Sequence, residues 1–239
     1  IDWKYLGWVV SGMLRGEEMA SVNIIRGPPD EFYVVLRTKD QGVQVIKFVP
    51  RYEALSPERE KEFVEASGSR PHHRAVDSDG KAKSLFGFKS VNDAFSHGFG
   101  DEVIGRISVA LHQSFDRRPV REGAVSSDTI AAILNEIEAA VNPHVENLGF
   151  KIGLRASVVR SEDTRGGGDD IVTMVDKLAR VREPLADVKV RDYHQIKEQK
   201  DLLSRVDQEI LRDDAYRKIR SEKAIAEKGD FEVAKAYIL

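Results

Sequence analysis

Residues 126–159, SSDTIAAILNEIEAAVNPHVENLGFKIGLRASVV, constrain the fold more than any other stretch of the chain. Ile130, Ile133, Leu134, Ile137, Val141, Val145 and Leu148 recur at three- and four-residue intervals. A helix places all of them on one stripe, with Asn135, Glu136, Glu138 and Asn142 off it. The stripe keeps its phase across Pro143, which predicts one helix bent where the proline ring removes a hydrogen bond to Ala139. Gly149 ends that helix, since glycine is favoured just past a C-terminus, and FKIGLRASVV then alternates as a strand. Upstream, DEVIGRISVALHQSF predicts a preceding strand over residues 103–115, with Ile104, Ile107 and Val109 set against Val103, Arg106 and Ser108. Strand, loop, helix and strand make a crossover unit whose helical stripe covers one sheet face.

The first fifty residues follow a different period. MASVNIIRG, EFYVVLRT and GVQVIKFV are rich in β-branched and aromatic residues and are separated by GPPD and KDQG, so three antiparallel strands are expected. Phe32, Val34 and Leu36 share one face of the second strand while Tyr33, Val35 and Arg37 share the other, which makes it a central strand. SPEREKEFVEA then predicts a short helix with Ser56 as N-cap, Pro57 in its first turn and Glu58 favouring the dipole.

These patterns give an α+β fold, with an antiparallel β-rich N-terminal part, a strand–helix–strand unit and a helical C-terminal arm. The chain divides into a β-meander with a short helix over 1–66, a polar loop over 67–84, a mixed α/β unit over 85–165 and a helical arm over 166–239. With 239 residues, 41% hydrophobic and 32% charged, it is long enough and apolar enough to bury real cores.

Charge and chemistry exclude several functions. Lys and Arg number 37 against 40 Asp and Glu, so no global positive field draws in nucleic acid, and none is expected as a partner. The absence of cysteine removes disulfides, thiolate metal sites and thiol nucleophiles. His72 and His73 lie in SGSRPHHRAVDSDGKAKS without the spacing of a metal pair, and read as part of a surface loop. Asp77, Asp79 and Gly80 begin like a calcium loop but lack the closing glutamate, and read as a turn. SEDTRGGGDD lacks the Gly-Lys-Ser/Thr ending of a phosphate loop and reads as a hinge before the helix DDIVTMVDKLARV, striped by Ile171, Met174, Val175, Leu178 and Val181. Phe86, Phe88, Phe95 and Phe99 read as core or interface residues around a short helix capped by Ser90. Apart from the adjacent His72 and His73, the six histidines fall in separate segments, and no nucleophile elbow or zinc motif is present. No catalytic residue, cofactor or metal is expected.

Both ends of the chain suggest contacts. The opening IDWKYLGWVVSGMLRG combines Trp, Tyr and Lys, which suits the end of a membrane anchor, but its apolar run Leu6 to Val10 is far below the ~20 residues a spanning helix needs. A helix or strand packed on the domain is the expected reading of this stretch, and since the chain starts at Ile1 and not at Met, a membrane contact through a missing N-terminal segment is the alternative. From Arg182 to Lys228 basic and acidic residues nearly balance, and only a thin apolar seam runs through the arm. The seam residues Ile196, Leu203, Val206, Ile210 and Ile219, with Phe231 and Ile238 in the more apolar tail, are the expected oligomer interface.

The order of strand, arginine-rich loop, amphipathic helix, LGFKI turn, strand and then charged helices ending in YRKIRSEKAIAEKGDFEVAKAYIL resembles the stomatin, prohibitin and flotillin (band-7) family over residues 100–239. That resemblance implies a mixed α/β domain followed by an Ala/Glu/Lys-rich helix, assembled into membrane-bound rings. The functional expectation is a non-enzymatic structural subunit of a homo-oligomer, cytoplasmic or membrane-associated rather than secreted. Alternatives are a virion or secretion-machine component contacting other assembly subunits, and a hydrolase with a composite site.

Overall fold

A computed structural model describes residues 3–16, 22–27, 30–37, 42–68, 71, 73–76, 82–118, 125–161, 168–180 and 188–192. Three strands of the N-terminal part, β1 (Val22–Gly27), β2 (Glu31–Arg37) and β3 (Val43–Ala54), pair in antiparallel order, with Val34 opposite both Ile24 and Ile46. As expected, β2 is central and apolar on both sides. Phe32, Val34 and Leu36 belong to one core cluster, and Tyr33 and Val35 to a second.

The long strand β3 organises the sheet. Its far edge pairs along its whole length with β6 (Phe150–Ser161), from Val43 opposite Ser161 to Ala54 opposite Phe150. Its near edge pairs with β2 as far as Phe48 and then, at Tyr52 and Glu53, with β5 (Ala82–Phe86), which forms a hairpin with β4 (His73–Val76). A last strand, β7 (Val188–Asp192), lies parallel on β6.

Because strand side chains alternate, the sheet has two apolar faces, and helices cover each. On the first, Phe32, Val34, Ile46, Phe48, Tyr52, Ile152, Leu154 and Val158 meet α2 (Pro57–Ser67), α3 (Phe88–Ala94), α4 (His97–Asp116) and α5 (Ser127–Val141). On the second, Val35, Val43, Val45 and Val159 meet α1 (Trp3–Leu14) and α6 (Gly168–Arg180). The fold is α+β, three layers deep.

Local expectations hold at several points. Ser56 accepts the Arg59 amide at the start of α2, with Pro57 in its first turn. Gly149 takes a left-handed φ of 82°, although it follows a 3₁₀ turn and not the central helix itself. Ile171, Val175 and Leu178 of α6 are buried, with Met174 packed beside them.

Four expectations are corrected. Residues 103–115 form helix, not strand. α4 starts from Ser96, whose side chain accepts the Phe99 amide, and it buries Val103, Ile104, Ile107, Ala110, Leu111 and Phe115. That spacing is helical, and Val109 is 57% exposed on the outer side. The unit ahead of β6 is therefore helix–helix–strand.

The central helix does not continue bent through Pro143. α5 ends at Val141, and two short 3₁₀ turns, Asn142–His144 and Glu146–Leu148, carry the chain to Gly149. Val145 is still buried and Leu148 still packs on the core, so the stripe survives a change of helix type.

Ser90 does not cap α3. It lies inside that helix, buried, and its hydroxyl bonds Ser67 Oγ at 3.2 Å, while Gly87 occupies the cap position. Finally, the stretch read as a polar loop holds β4 and the start of β5, with residues 77–81 outside those described.

Candidate functional site

The apolar run of β3 is interrupted by Lys47, which is only 2% exposed on the second sheet face. Strand parity sends it there, opposite Tyr33 on β2 and Ser157 on β6. An isolated ammonium would not be tolerated at that depth, and two carboxylates receive it. Its Nζ lies 2.8 Å from Glu31 Oε1 and donates to Asp176 Oδ1 at 2.6 Å. The charge also sits over the Tyr33 ring, 5.4 Å from its centroid, and the Tyr33 hydroxyl donates to Glu31 Oε2 at 3.0 Å. Asp176 comes from α6, so this cluster ties the outer helix to the middle of the sheet.

A second polar group adjoins it. Asp30, one residue before β2, is 6% exposed and faces the notch where the edge of β3 passes from β2 to β5. Burial pushes its carboxyl up to about 6 against the opposing pull of Arg51. The Tyr52 hydroxyl donates to Asp30 Oδ2 over a long 3.4 Å. Burial also holds the Tyr52 phenol well above its ordinary range and lowers the Arg51 guanidinium, whose Nη1 donates to the Pro50 carbonyl at 3.0 Å.

On the first face, Gln44 acts as a clamp. Its Nε2 donates to the Val125 carbonyl at 3.0 Å and its Oε1 accepts the Val125 amide at 2.8 Å. Arg160 Nη2, on the neighbouring strand, donates to the same carbonyl at 3.0 Å, so β3 and β6 together set where α5 begins. At the other end of α5, Asn142 Nδ2 donates to the Ile152 carbonyl at 3.1 Å and Asn142 Oδ1 accepts the Ile152 amide at 2.8 Å. Glu138 Oε1 accepts the Leu154 amide at 2.7 Å. Those two side chains occupy the edge of β6 that β7, pairing only from Ala156 onward, leaves open.

These groups hold elements together. Lys47, Glu31, Tyr33 and Asp176 bond to one another, and Asp30 with Tyr52 and Arg51 forms a second buried polar group beside them. Among the described residues no group of three His, Asp or Glu side chains could hold a metal. His97 opens α4, His112 Nδ1 is 2.8 Å from the Ser108 carbonyl oxygen within that helix, and His144 lies in the turn after α5, so the structure does not gather them. The seam residues Ile196, Leu203, Val206, Ile210, Ile219, Phe231 and Ile238 lie outside the described residues, as do His72 and His194. Sequence reasoning missed the Lys47 cluster. The available signal was a lone lysine sharing strand parity with Val43 and Val45, but its partner Asp176 is 129 residues away.

Among the described residues no helix is long and apolar enough to cross a membrane. No family model, curated protein or solved structure matches the chain.

Proposed function

We propose that this protein is a non-enzymatic structural subunit of a homo-oligomeric assembly, in which the α+β body is the head and residues 193–239 make the contact between copies. The observation that supports the reading is the completeness of the head. Among the described residues, both sheet faces are covered by helices from within residues 3–180, and α6, the first part of the expected arm, packs into the second apolar cluster as part of the head. The arm nevertheless carries Ile196, Leu203, Val206, Ile210 and Ile219 along one seam and ends in the apolar FEVAKAYIL. A seam that thin cannot bury much by itself, so its favourable partner is the same seam on a neighbouring copy. The resemblance to the band-7 family over residues 100–239 points the same way, toward rings built from a mixed domain and a charged helix.

The test is made in the full chain. Leu203→Glu or Ile210→Lys forces an unpaired charge into the contact, at a cost on the order of a few kcal/mol per interface, repeated around any closed ring. Mass photometry should show a smaller species with an unchanged far-UV spectrum. A wild-type protein that is monomeric at micromolar concentration, or an oligomer indifferent to both substitutions, would overturn the assignment.

A further inference from the structure

The apolar stripe of α6 holds the helix to the second sheet face but does not by itself say how far along that face it should sit. Ile171, Val175 and Leu178 are spaced four and three apart, and all are buried. A shift of one helical turn, about 5.4 Å along the axis, puts Val175 where Ile171 lay and Leu178 where Val175 lay. The surface beneath offers little to choose between the two placements, since Val35, Val43, Val45 and Val159 are four side chains of one size and shape. Hydrophobic burial is non-directional and favours either.

Lys47 breaks that uniformity. It lies between Val45 and Val49 on the same strand face, is 2% exposed, and has Tyr33 and Ser157 as its neighbours across the two ladders. Asp176 is the α6 side chain that meets it, with Oδ1 2.6 Å from Nζ. A one-turn shift of the helix in either direction would set Val172, Thr173, Ala179 or Arg180 in that place, none of them a carboxylate.

The cluster is not what stability alone would select. It holds two carboxylates against one ammonium, with Glu31 Oε1 at 2.8 Å as the second, and all three charged groups are drawn largely out of water. Apolar side chains of similar volume often fill such a site with no loss of stability, whereas a charged cluster is complete in one arrangement only. Glu31 belongs to β2 and stays beside Lys47 wherever the helix lies. Asp176 therefore carries the choice.

We propose that the Lys47–Asp176 contact is a docking selector, which fixes the axial position of α6 on the second sheet face and contributes specificity in place of stability. β6, α6 and β7 run as strand, helix and parallel strand, so the place of α6 limits where β7 settles on β6 and from which point the chain enters residues 193–239. The selector works within one head and is independent of the assembly reading.

The experiment uses the full chain, which has no cysteine, so Asn135→Cys on α5 and Thr173→Cys on α6 carry the only two spin labels. Both positions are exposed. Double electron–electron resonance should give one narrow distance in this reference protein. Asp176→Leu leaves Lys47 paired with Glu31, while Lys47→Met with Glu31→Gln and Asp176→Leu removes all three charges. In both, the distance distribution should broaden or split by about one helical turn, with an unchanged far-UV spectrum. The urea midpoint of the triple variant should stay at or above the reference, and Lys47→Met alone should lower it, since that change leaves two carboxylates without their cation. A narrow, unchanged distance in Asp176→Leu would show that packing alone places the helix. A triple variant whose midpoint falls well below the reference would show that the cluster serves stability. Either result overturns the proposal, as would a broad distribution in the reference protein itself.

Discussion

Asp30 and Lys47 sit within one short stretch of the β2–β3 pairing and show two outcomes of burying charge. Lys47 is received by two carboxylates and an aromatic ring, whereas Asp30 meets a long bond from Tyr52, a backbone hydrogen bond and the nearby Arg51 guanidinium. A carboxyl raised from 3.8 to about 6 is one whose charged form the fold disfavours, by roughly 3 kcal/mol at full ionisation. The folded state therefore binds the proton more tightly than the unfolded chain does. Its contribution to stability is fully present below the unfolded value near 3.8 and is lost as the pH rises through about 6. Asp30→Asn keeps the neutral shape at every pH. It should be more stable than wild type above pH 7, by at most about 3 kcal/mol, and the advantage should vanish toward pH 4. Urea titrations of the two proteins across that range provide the check, and equal gaps at both ends would contradict it.

Element boundaries turn on side-chain to backbone bonds. α5 begins at Ser126, whose hydroxyl accepts the Thr129 amide, and ends where Asn142 turns its side chain to the exposed edge of β6. Pro143 follows that end and does not sit inside a continuous helix, so its ring removes no bond that the turn requires. Pro143→Ala should change stability by less than about 1 kcal/mol, mostly through the entropy of the unfolded chain. Asn142→Ala should cost more, about 1–3 kcal/mol, because it strands the Ile152 amide and carbonyl at the strand edge. Thermal melts of the pair will rank them, and a larger loss for Pro143→Ala would mean that the proline itself sets the turn.

At the scale of the whole molecule, the described residues form one sheet with two separate apolar clusters. The sheet backbone lies between Leu6, in one cluster with Val35 and Val45, and Ile133, in the other with Ile46 and Val158. Each truncation to alanine should cost about 2–5 kcal/mol by transfer and cavity terms. Residues on opposite faces share no packing partner, so the Leu6→Ala and Ile133→Ala losses should add within about 0.5 kcal/mol in equilibrium unfolding. A strong departure from additivity would show that the faces are coupled through the sheet. The Lys47 cluster is the natural route for such coupling, since it draws α6 onto β3 while Gln44, three residues earlier on the same strand, clamps the start of α5.

What the sequence determined by itself were the features governed by near neighbours. The meander with a doubly buried β2, the Ser56 cap, the left-handed Gly149 and the stripes of α5 and α6 each follow from periodicity or from one residue's backbone preference, which act over a few positions. Tertiary structure decided the rest. Val103, Ile104 and Ile107 suit a strand as isolated residues, but a helix capped at Ser96 buries them together with Leu111 and Phe115 against the first sheet face, and that burial outweighs a propensity worth only tenths of a kcal/mol per residue. The end of α5 was set by Ile152 on another element, and the fate of Lys47 by Asp176 far along the chain. Contacts of that kind leave no periodic trace, because they arise only where the folded sheet brings distant residues within bonding distance.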